Sequence, residues 1–440
     1  MTIEHSTVRT ESYSDSGFGK GYDYPPPLPE RFMSAVGAVA KRVAQRLLRA
    51  AFGTIGQLLE IRHWGEPRPS LRSAAFQPQR ILVVRTDLLG DVVLTLPAVH
   101  ALRLAYPHAH IDMVVLPSTA GILRDQPDIN GIVTCDPATW ITGLLNPEQR
   151  QSILATIHQM RKAQYDLAVS ICGDWGSIIT RLSGARRRVG YANEAYAHFL
   201  TDPVPGKRYQ FRQHERLYGL ALAQHAGGIL ENNDEEKDTT RPKLLVSDAT
   251  RQQIVSLLQE FGISPEQRVI ALHAGSRNGQ AKRWPLPYWA RLAEQLIDQI
   301  PGCAVVLIGA AGDKALAQGV IQRMRGQGKA YDLTGTTNLP ALAGLLAHCQ
   351  VVITGDSGPL HIAEAVGTAV VAIHGPTDPI LSGPSSKNAI ILRRDIWCSP
   401  CYDSSATAEC RFYNPLCMKG IVPADVLAAT LKQMGIPTEG

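Results

Sequence analysis

Long apolar runs are missing from this chain of 440 residues. No stretch reaches the roughly 18 consecutive apolar residues that a membrane-spanning helix needs. Residues 1–23 are polar and contain no apolar core of the kind that marks a secretory signal. Both absences favour a cytoplasmic protein, in which the eight cysteines are expected to be thiols or metal ligands rather than a disulfide framework.

Two glycine-rich phosphate-binding motifs are also absent. No G-x-G-x-x-G follows the early strands, and no phosphate loop ends in Gly-Lys-Ser/Thr, so neither a dinucleotide-dependent enzyme nor a phosphate-loop hydrolase has support. The net charge of +5 is too small for a protein that coats nucleic acid, but it suits an anionic acceptor or a membrane surface. No nucleic-acid partner is therefore expected.

The first 79 residues differ in composition from the rest. Residues 1–30 are rich in Ser, Tyr, Gly and Pro, which predicts a disordered tail. Residues 31–79 are predicted to form a basic amphipathic helical segment, with apolar residues at steps of three or four and four clustered basic side chains: Lys41, Arg42, Arg46 and Arg49. Such a helix either lies on an anionic membrane or packs on a protein surface.

The remaining chain alternates between apolar strands and helices, which predicts an α/β fold. Strands are predicted at 81–84, 111–116, 132–135 and 167–171, and again at 269–273, 304–308, 351–354 and 369–373. Because these runs are apolar without strict alternation, they indicate parallel sheets buried on both faces. We predict one doubly wound domain over 80–240, a linker with a helix over 241–268, and a second domain over 269–440, with ligands bound between them at the carboxyl ends of the strands.

The first motif is the run from 85 to 97, where a strand passes into a helix. Gly90 allows a tight turn out of the strand. Asp91 follows at the mouth of the predicted cleft, where a carboxylate can take a proton from an acceptor hydroxyl. The alternative is that Asp91 serves as a helix N-cap or first-turn residue.

The second motif is the run from 273 to 285, which follows the first strand of the second series. Its small residues allow backbone amides to approach a phosphate. Ser276 offers a hydroxyl and Lys282 a cation for a diphosphate. The alternative is a basic surface loop.

The third motif is Asp356-Ser357-Gly358-Pro359-Leu360-His361, where a strand end, a glycine-containing turn and a helix start coincide. Free amides at that helix start, together with the helix dipole, can hold a diphosphate without metal. His361 lies on the first turn within reach of the same anion. The alternatives are that Asp356 or Ser357 caps the helix and that His361 is structural.

In this order and at these spacings, the three motifs resemble those of the bacterial heptosyltransferases of glycosyltransferase family 9, over about residues 80–422. The resemblance implies the GT-B arrangement of two facing Rossmann-like domains, and inverting transfer without a metal cofactor. It implies that Asp91 is the general base and that Lys282 contacts the donor diphosphate. The other donor contacts that it implies are Ser276, Asp356, Ser357, Gly358 and His361.

The resemblance also implies the substrates: ADP-heptose as donor and a lipid-linked saccharide of the lipopolysaccharide core as acceptor, met at the inner face of the inner membrane. Alternatives are a protein acceptor, a different nucleotide sugar, or a non-catalytic membrane-bound scaffold, which the intact Asp91, Lys282 and Asp356 disfavour. The acidic residue with which the family grips the donor is not evident, because residues 310–313 (Ala-Ala-Gly-Asp) stand in its place.

Four thiols fall within 20 residues, at Cys398, Cys401, Cys410 and Cys417. This spacing is compatible with a structural zinc or iron, which would brace a loop rather than perform chemistry. Many members of the family carry a similar segment. Reduced thiols, or two disulfides formed on oxidation, are the alternatives.

A run of three arginines, residues 186–188, lies in the first predicted domain. It is interpreted either as a site for phosphates or acidic sugars of the acceptor, or as a solvated surface patch.

Overall fold

The computed structural model describes residues 70–73, 75–143, 146–208, 210, 212–231, 238–276, 279–326, 329–402 and 409–437. They belong to a compact unit that spans Ile55–Gly440. The predicted tail and nearly all of the predicted helical segment lie outside the described residues. Among those that are described, no helix has the length and apolar character needed to cross a membrane.

The first sheet contains six parallel strands in the order β3-β2-β1-β4-β5-β6. The strands are β1 (Arg80–Arg85), β2 (His110–Val115), β3 (Gly131–Thr134), β4 (Leu167–Ser170), β5 (Arg187–Tyr191) and β6 (Asp202–Val204). Strand β1 is buried along nearly its whole length, as its apolar sequence predicts. The strand order reverses between β1 and β4, which is where doubly wound sheets bind ligands.

In the described residues, four α-helices lie between these strands and a fifth follows β6: α1 (Leu89–Ala105), α2 (Pro137–Gly143), α3 (Pro147–Ala163), α4 (Gly173–Leu182) and, after β6, α5 (Glu215–His225). Helix α3 shows how local sequence sets the helix bounds. The Asn146 side chain accepts hydrogen bonds from the backbone N–H groups of Glu148 and Gln149, Pro147 occupies the first turn, and Gln164 ends the helix in a left-handed conformation.

The second sheet repeats the design, with six parallel strands in the order β12-β11-β10-β7-β8-β9. They are β7 (Val269–His273), β8 (Ala304–Leu307), β9 (Ala330–Asp332), β10 (Val351–Gly355), β11 (Ala369–His374) and β12 (Ala389–Arg393). The helices are α6 (Asp248–Glu260), α7 (Leu286–Gln299), α8 (Lys314–Ile321), α9 (Leu339–His348), α10 (Gly358–Ala365), α11 (Pro379–Ser382), α12 (Leu416–Lys419) and α13 (Pro423–Gln433).

The eight predicted strands are confirmed, each within about two residues at either end. The strands that the sequence did not predict are β5, β6, β9 and β12. Strands β6 and β9 are only three residues long, β5 begins with two arginines, and β12 is half-exposed at an edge of its sheet. None of these has the buried apolar run that marks a central parallel strand.

The two halves are tied together away from the sheets as well. The Arg212 guanidinium donates to the Asp378 carboxylate through Nε at 2.8 Å and Nη2 at 2.6 Å. Nearby, His214 Nε2 lies 2.7 Å from the carbonyl oxygen of Gly383. These contacts join the start of α5 in the first half to α11 and its flanking residues in the second.

Candidate active site

The three predicted motifs lie at the carboxyl ends of parallel strands. Strand β1 ends at Arg85, β7 at His273 and β10 at Gly355. Strands β7 and β10 are neighbours in the second sheet, so the second and third motifs share one edge. The first motif approaches that edge from the other half.

The starts of α1 and α10 pack against each other across the two halves. A Cβ placed on Gly90 would lie 2.5 Å from Cδ2 of His361, and one on Gly358 would lie 2.9 Å from Cδ2 of Leu89. Side-chain atoms cannot approach a Cβ that closely without a shift. Glycine at both positions therefore permits the contact, which places Asp91, the residue after Gly90, beside the third motif.

Asp91 lies in the first turn of α1 and is about a quarter exposed. Its Oδ1 accepts hydrogen bonds from Arg85 Nη2 at 2.8 Å and from Arg208 Nη2 at 3.3 Å. Leu88 is the N-cap residue of α1 and makes no side-chain capping bond, so Asp91 does not cap the helix. The first-turn position is observed, and the arginine contacts add a charge environment that a surface first-turn residue would lack.

Lys282 and Asp356 form a largely buried ion pair. The Lys282 ammonium lies 2.9 Å from Asp356 Oδ2 and 3.3 Å from the Asp356 carbonyl oxygen. It also lies 4.3 Å from the centre of the Tyr402 ring, a cation–π distance. Lys282 is therefore held in place at the end of β10 and does not belong to a basic surface loop.

Asp356 is an ionised carboxylate surrounded by cationic and histidine side chains. Burial alone would raise its pKa, but Lys282, His374 and His361 together lower the pKa of Asp356 to about 2. His361 is buried, and its Nε2 lies 3.9 Å from Asp356 Oδ1. His361 Nδ1 is buried and has no hydrogen-bond partner among the described residues.

The start of α10 has no side-chain cap. Ser357 occupies the N-cap position, but its side chain makes no capping bond. Its Oγ instead lies 3.1 Å from both Thr354 Oγ1 and His273 Nδ1. The interpretation of Ser357 as a cap is therefore wrong, and the first amides of α10 remain available to an anion, aided by the helix dipole.

The Asp313 side chain lies close to the start of the loop after β7, at Gly275. A Cβ on Gly275 would lie 2.5 Å from Asp313 Oδ1, and His273 Nε2 lies 4.0 Å from Asp313 Oδ2. Asp313 thus supplies a partly exposed carboxylate at the end of β8, where the sequence showed no clear acidic residue. Ser276 is buried in the same loop, and its carbonyl accepts a bond from Arg283 Nη2 at 3.2 Å.

Three histidines near this region have lowered pKa values: the buried His273 and His374, and the half-buried His214. Burial lowers the pKa of His273 and of His374 to about 4, against the opposing effects of Asp313 and Asp356 respectively. Burial likewise lowers the pKa of His214 to about 4, against the hydrogen bond to the Gly383 carbonyl. All three are therefore neutral in the folded protein near pH 7.

We expect the free energy of unfolding to fall as the pH is lowered from about 6.5 to about 4. In this window an unfolded histidine binds a proton while His214, His273 and His374 in the folded protein do not, so protonation favours unfolding by up to about 3 kcal/mol per histidine. Urea denaturation between pH 7 and pH 4.5 measures this slope. His214→Gln should make the slope shallower and substitution of the exposed His108 should not; equal slopes in both variants would contradict the assignment.

The arginine run does not form a patch. Arg186 is exposed, but Arg187 and Arg188 are buried. Arg187 Nε donates to Asp202 Oδ2 at 2.8 Å, and Arg188 Nε donates to the Phe199 carbonyl at 2.6 Å. Both predictions for this run are therefore wrong for Arg187 and Arg188, because these side chains join β5 to β6 and the segment before it.

The four cysteines of the C-terminal segment are all free thiols, with Cys417 buried and Cys401 exposed. Burial raises the pKa of Cys417 to about 11, and the other three thiols of the cluster contribute to the rise. Within the described part of the chain, no group of three or more His, Cys, Asp or Glu side chains is arranged to hold a metal ion. A metal at this segment thus stays a prediction.

Several residues of the site could not be found from local sequence. Arg208, Glu215 and Tyr402 reach it through tertiary contacts, and none lies in a recognisable motif. His273 and Asp313 did carry a signal, because His273 is the last residue of a buried strand, β7, and Asp313 lies in the loop after another, β8.

Comparison with known proteins identifies the sequence family. Residues 153–411 match the sequence family described as glycosyltransferase family 9 (heptosyltransferase). The chain is 28% identical over 326 residues to the lipopolysaccharide heptosyltransferase 2 of Escherichia coli strain K12. This alignment covers 71% of this chain and 88% of that protein.

Two solved structures share the fold. A glycosyltransferase family 9 protein from Veillonella parvula superimposes with a TM-score of 0.67 at 23% identity, over 81% of this chain and 97% of that one. The ADP-heptose lipopolysaccharide heptosyltransferase II of E. coli gives a TM-score of 0.63 at 23% identity, over 81% and 98%. The predicted GT-B arrangement is thereby confirmed.

Proposed function

This chain belongs to glycosyltransferase family 9, the heptosyltransferases, and from that membership we propose that it transfers a heptose from ADP-heptose to a saccharide of the lipopolysaccharide core, with inversion and without a metal cofactor. The observation that carries the proposal is the contact between the starts of α1 and α10. Through Gly90 and Gly358 it brings the Asp91 carboxylate beside the residues suited to a diphosphate.

Asp91 acts as the general base in this proposal. The acceptor hydroxyl binds in the cleft and gives its proton to Asp91 while its oxygen attacks the anomeric carbon from the face opposite the diphosphate. The bond between the anomeric carbon and the diphosphate oxygen breaks, and ADP leaves with the electron pair. Because Oδ1 is held by two arginines, Oδ2 is the oxygen that takes the proton.

The leaving diphosphate gains negative charge as that bond breaks. Lys282 and the first amides of α10, including that of Gly358, stabilise this charge, and they are positioned before the reaction begins. Asp356 fixes the Lys282 ammonium by an ion pair of 2.9 Å, and Ser276, Ser357 and His361 complete the donor side. We assign recognition of the donor ribose to Asp313, the partly exposed carboxylate at the end of β8.

Heptose as the sugar and ADP as the nucleotide are proposed from relatives. The E. coli relative of known structure is described as an ADP-heptose enzyme of lipopolysaccharide synthesis. A structure of a further E. coli heptosyltransferase contains an ADP-heptose analogue. A protein acceptor, another nucleotide sugar and a non-catalytic scaffold are outcomes that the following test distinguishes.

The test compares ADP-heptose with UDP- and GDP-sugars, using heptose-deficient lipopolysaccharide as acceptor. We expect transfer from ADP-heptose alone. Turnover with another nucleotide sugar would overturn the donor assignment but keep the mechanism. Transfer only to a protein acceptor would move the enzyme out of lipopolysaccharide synthesis, and binding of no nucleotide would indicate a scaffold.

A structural zinc or iron at Cys398, Cys401, Cys410 and Cys417 is a separate proposal. It is supported by the spacing of the thiols. The side chains as they stand do not form a coordination group, so binding requires the thiols to converge. Metal analysis of the purified protein and of Cys410→Ser tests it. The proposal would be contradicted if the unaltered protein held no metal and all eight of its cysteines titrated as free thiols.

Attachment to the inner face of the inner membrane, from the cytoplasm, is also a proposal. Its support is the basic amphipathic pattern of residues 31–79 together with the lipid-linked acceptor. Reversing the charge of Lys41, Arg42, Arg46 and Arg49 should abolish flotation with anionic vesicles while leaving transfer to a soluble acceptor intact. Unchanged flotation of that variant would contradict the role of this segment.

A further inference from the structure

The arginines that hold Asp91 also hold a second carboxylate, Glu215, at the start of α5. Glu215 Oε1 accepts hydrogen bonds from Arg85 Nη2 at 2.9 Å and from Arg208 Nε at 2.8 Å. The same two guanidinium groups donate to Asp91 Oδ1 at 2.8 Å and 3.3 Å. Arg85 Nη2 is thus shared between the two carboxylates.

The Glu215 carboxylate is buried beside two arginines, so its charge acts on them strongly. Its side chain is only 5% exposed, and its Oε2 is buried with no hydrogen-bond partner among the described residues. Arg85 is fully enclosed, and its pKa is raised above the usual arginine value because Asp87, Glu215 and Asp91 outweigh burial and the repulsion from Arg208. Arginine keeps its charge in proteins, so both guanidinium groups are charged, and three carboxylates share them.

Other charged and titratable groups surround Asp91, and they belong to several different segments of the chain. Asp87 lies 3.1 Å from Arg85 Nε and 3.2 Å from Arg208 Nη1. From α10, the His361 ring packs on Gly90, next to Asp91. Three further titratable groups lie near the cluster: Cys172, Glu194 and Tyr191. The Cys172 thiol contacts Thr86, and the Glu194 carboxylate accepts a hydrogen bond from the backbone N–H of Arg208.

We propose that Glu215 is a positioning residue that maintains the basicity of Asp91 by competing with it for the guanidinium groups of Arg85 and Arg208. This inference rests on the proposed role of Asp91 as general base. A carboxylate that alone faced two guanidinium groups would be a weak proton acceptor, because nearby positive charge favours its ionised form. With Glu215 taking part of that charge, Asp91 is still oriented through Oδ1 but keeps a greater affinity for the acceptor proton.

The test is the pH dependence of transfer in Glu215→Gln, which keeps the shape of the side chain and removes its charge. We expect the acid limb of the kcat profile to move down by about one pH unit, and the plateau to fall several-fold because a weaker base drives less proton transfer. KM for the donor should not change. Glu194→Gln is the matched control, because the Glu194 carboxylate accepts a hydrogen bond from the backbone N–H of Arg208. The acid limb of this variant should stay in place.

The opposite shift is expected when one of the cations is removed. Arg208→Gln should move the acid limb up, since Asp91 then faces less positive charge. If Glu215→Gln does not fold, Arg208→Gln still tests the proposal. A loss of rate with no movement of the limb in either variant would overturn the proposal and leave Glu215 a structural residue.

A readout without turnover separates this inference from the proposed function. In protein labelled with ¹³C at the aspartate carboxyl carbon, the Asp91 resonance, assigned with Asp91→Asn, should titrate at lower pH in Glu215→Gln than in the unaltered protein. If no nucleotide sugar is turned over but this titration shifts, the proposed function fails and the coupling stands. If transfer proceeds and the Asp91 titration does not shift, the coupling fails and the proposed function stands.

Discussion

Asp91→Asn is expected to lower the rate of heptose transfer about 10²- to 10⁴-fold, the range that a positioned general base contributes. The amide keeps the size of the side chain but cannot accept the proton. The affinity for ADP should be unchanged, because the diphosphate contacts that we propose belong to Lys282 and α10. The protein should remain folded, since Asp87 and Glu215 still balance the buried charge of Arg85. Single-turnover transfer and calorimetric ADP binding measure the two effects.

Asp87→Asn is the matched control for this prediction. Asp87 contacts the same two arginines as Asp91 and is similarly exposed, so its substitution removes the same charge from the same cluster. We expect a much smaller loss of transfer in Asp87→Asn. Equal losses in the two variants would show that the net charge of the cluster matters and that Asp91 is not the base.

Lys282→Met should have two large and separable effects. Transfer should fall about 10²- to 10³-fold, or about 3–4 kcal/mol of barrier, because one preorganised group facing the leaving diphosphate is lost. The folded protein should also lose about 3–5 kcal/mol of stability, because the buried carboxylate of Asp356 is left without its ion-pair partner. Transfer kinetics and urea denaturation measure these effects.

The double variant Lys282→Met/Asp356→Asn separates them. It removes both charges of the pair, so most of the free energy of unfolding should return. Transfer should remain low, because no cation faces the diphosphate. Recovery of transfer together with stability would mean that Lys282 serves only to neutralise Asp356, and the assignment to the donor would be wrong.

The parts of this protein that could be predicted from sequence are those with a local signal. A buried parallel strand has a continuous apolar run, and the glycines and the helix start after it are adjacent in sequence. For this reason the central strands and the turns that carry Asp91, Lys282 and Asp356 were found.

Contacts between distant segments have no such signal. Arg85 and Glu215 are 130 residues apart, yet they share a hydrogen bond. The charge of Arg187 predicts an exposed side chain, whereas the structure pairs it with Asp202 on the next strand. The Cys-rich segment was interpreted for its thiols, but the structure shows that the neighbouring Tyr402 reaches Lys282. Such pairings are decided by the assembled fold.

The contact between the starts of α1 and α10 has a mechanical consequence. Two close contacts, one between Gly90 and His361 and one between Gly358 and Leu89, lie beside the proposed reacting groups. In a rotation of one half about this contact, groups beside the contact would move less than groups farther away, so Asp91 and the third motif would stay close together.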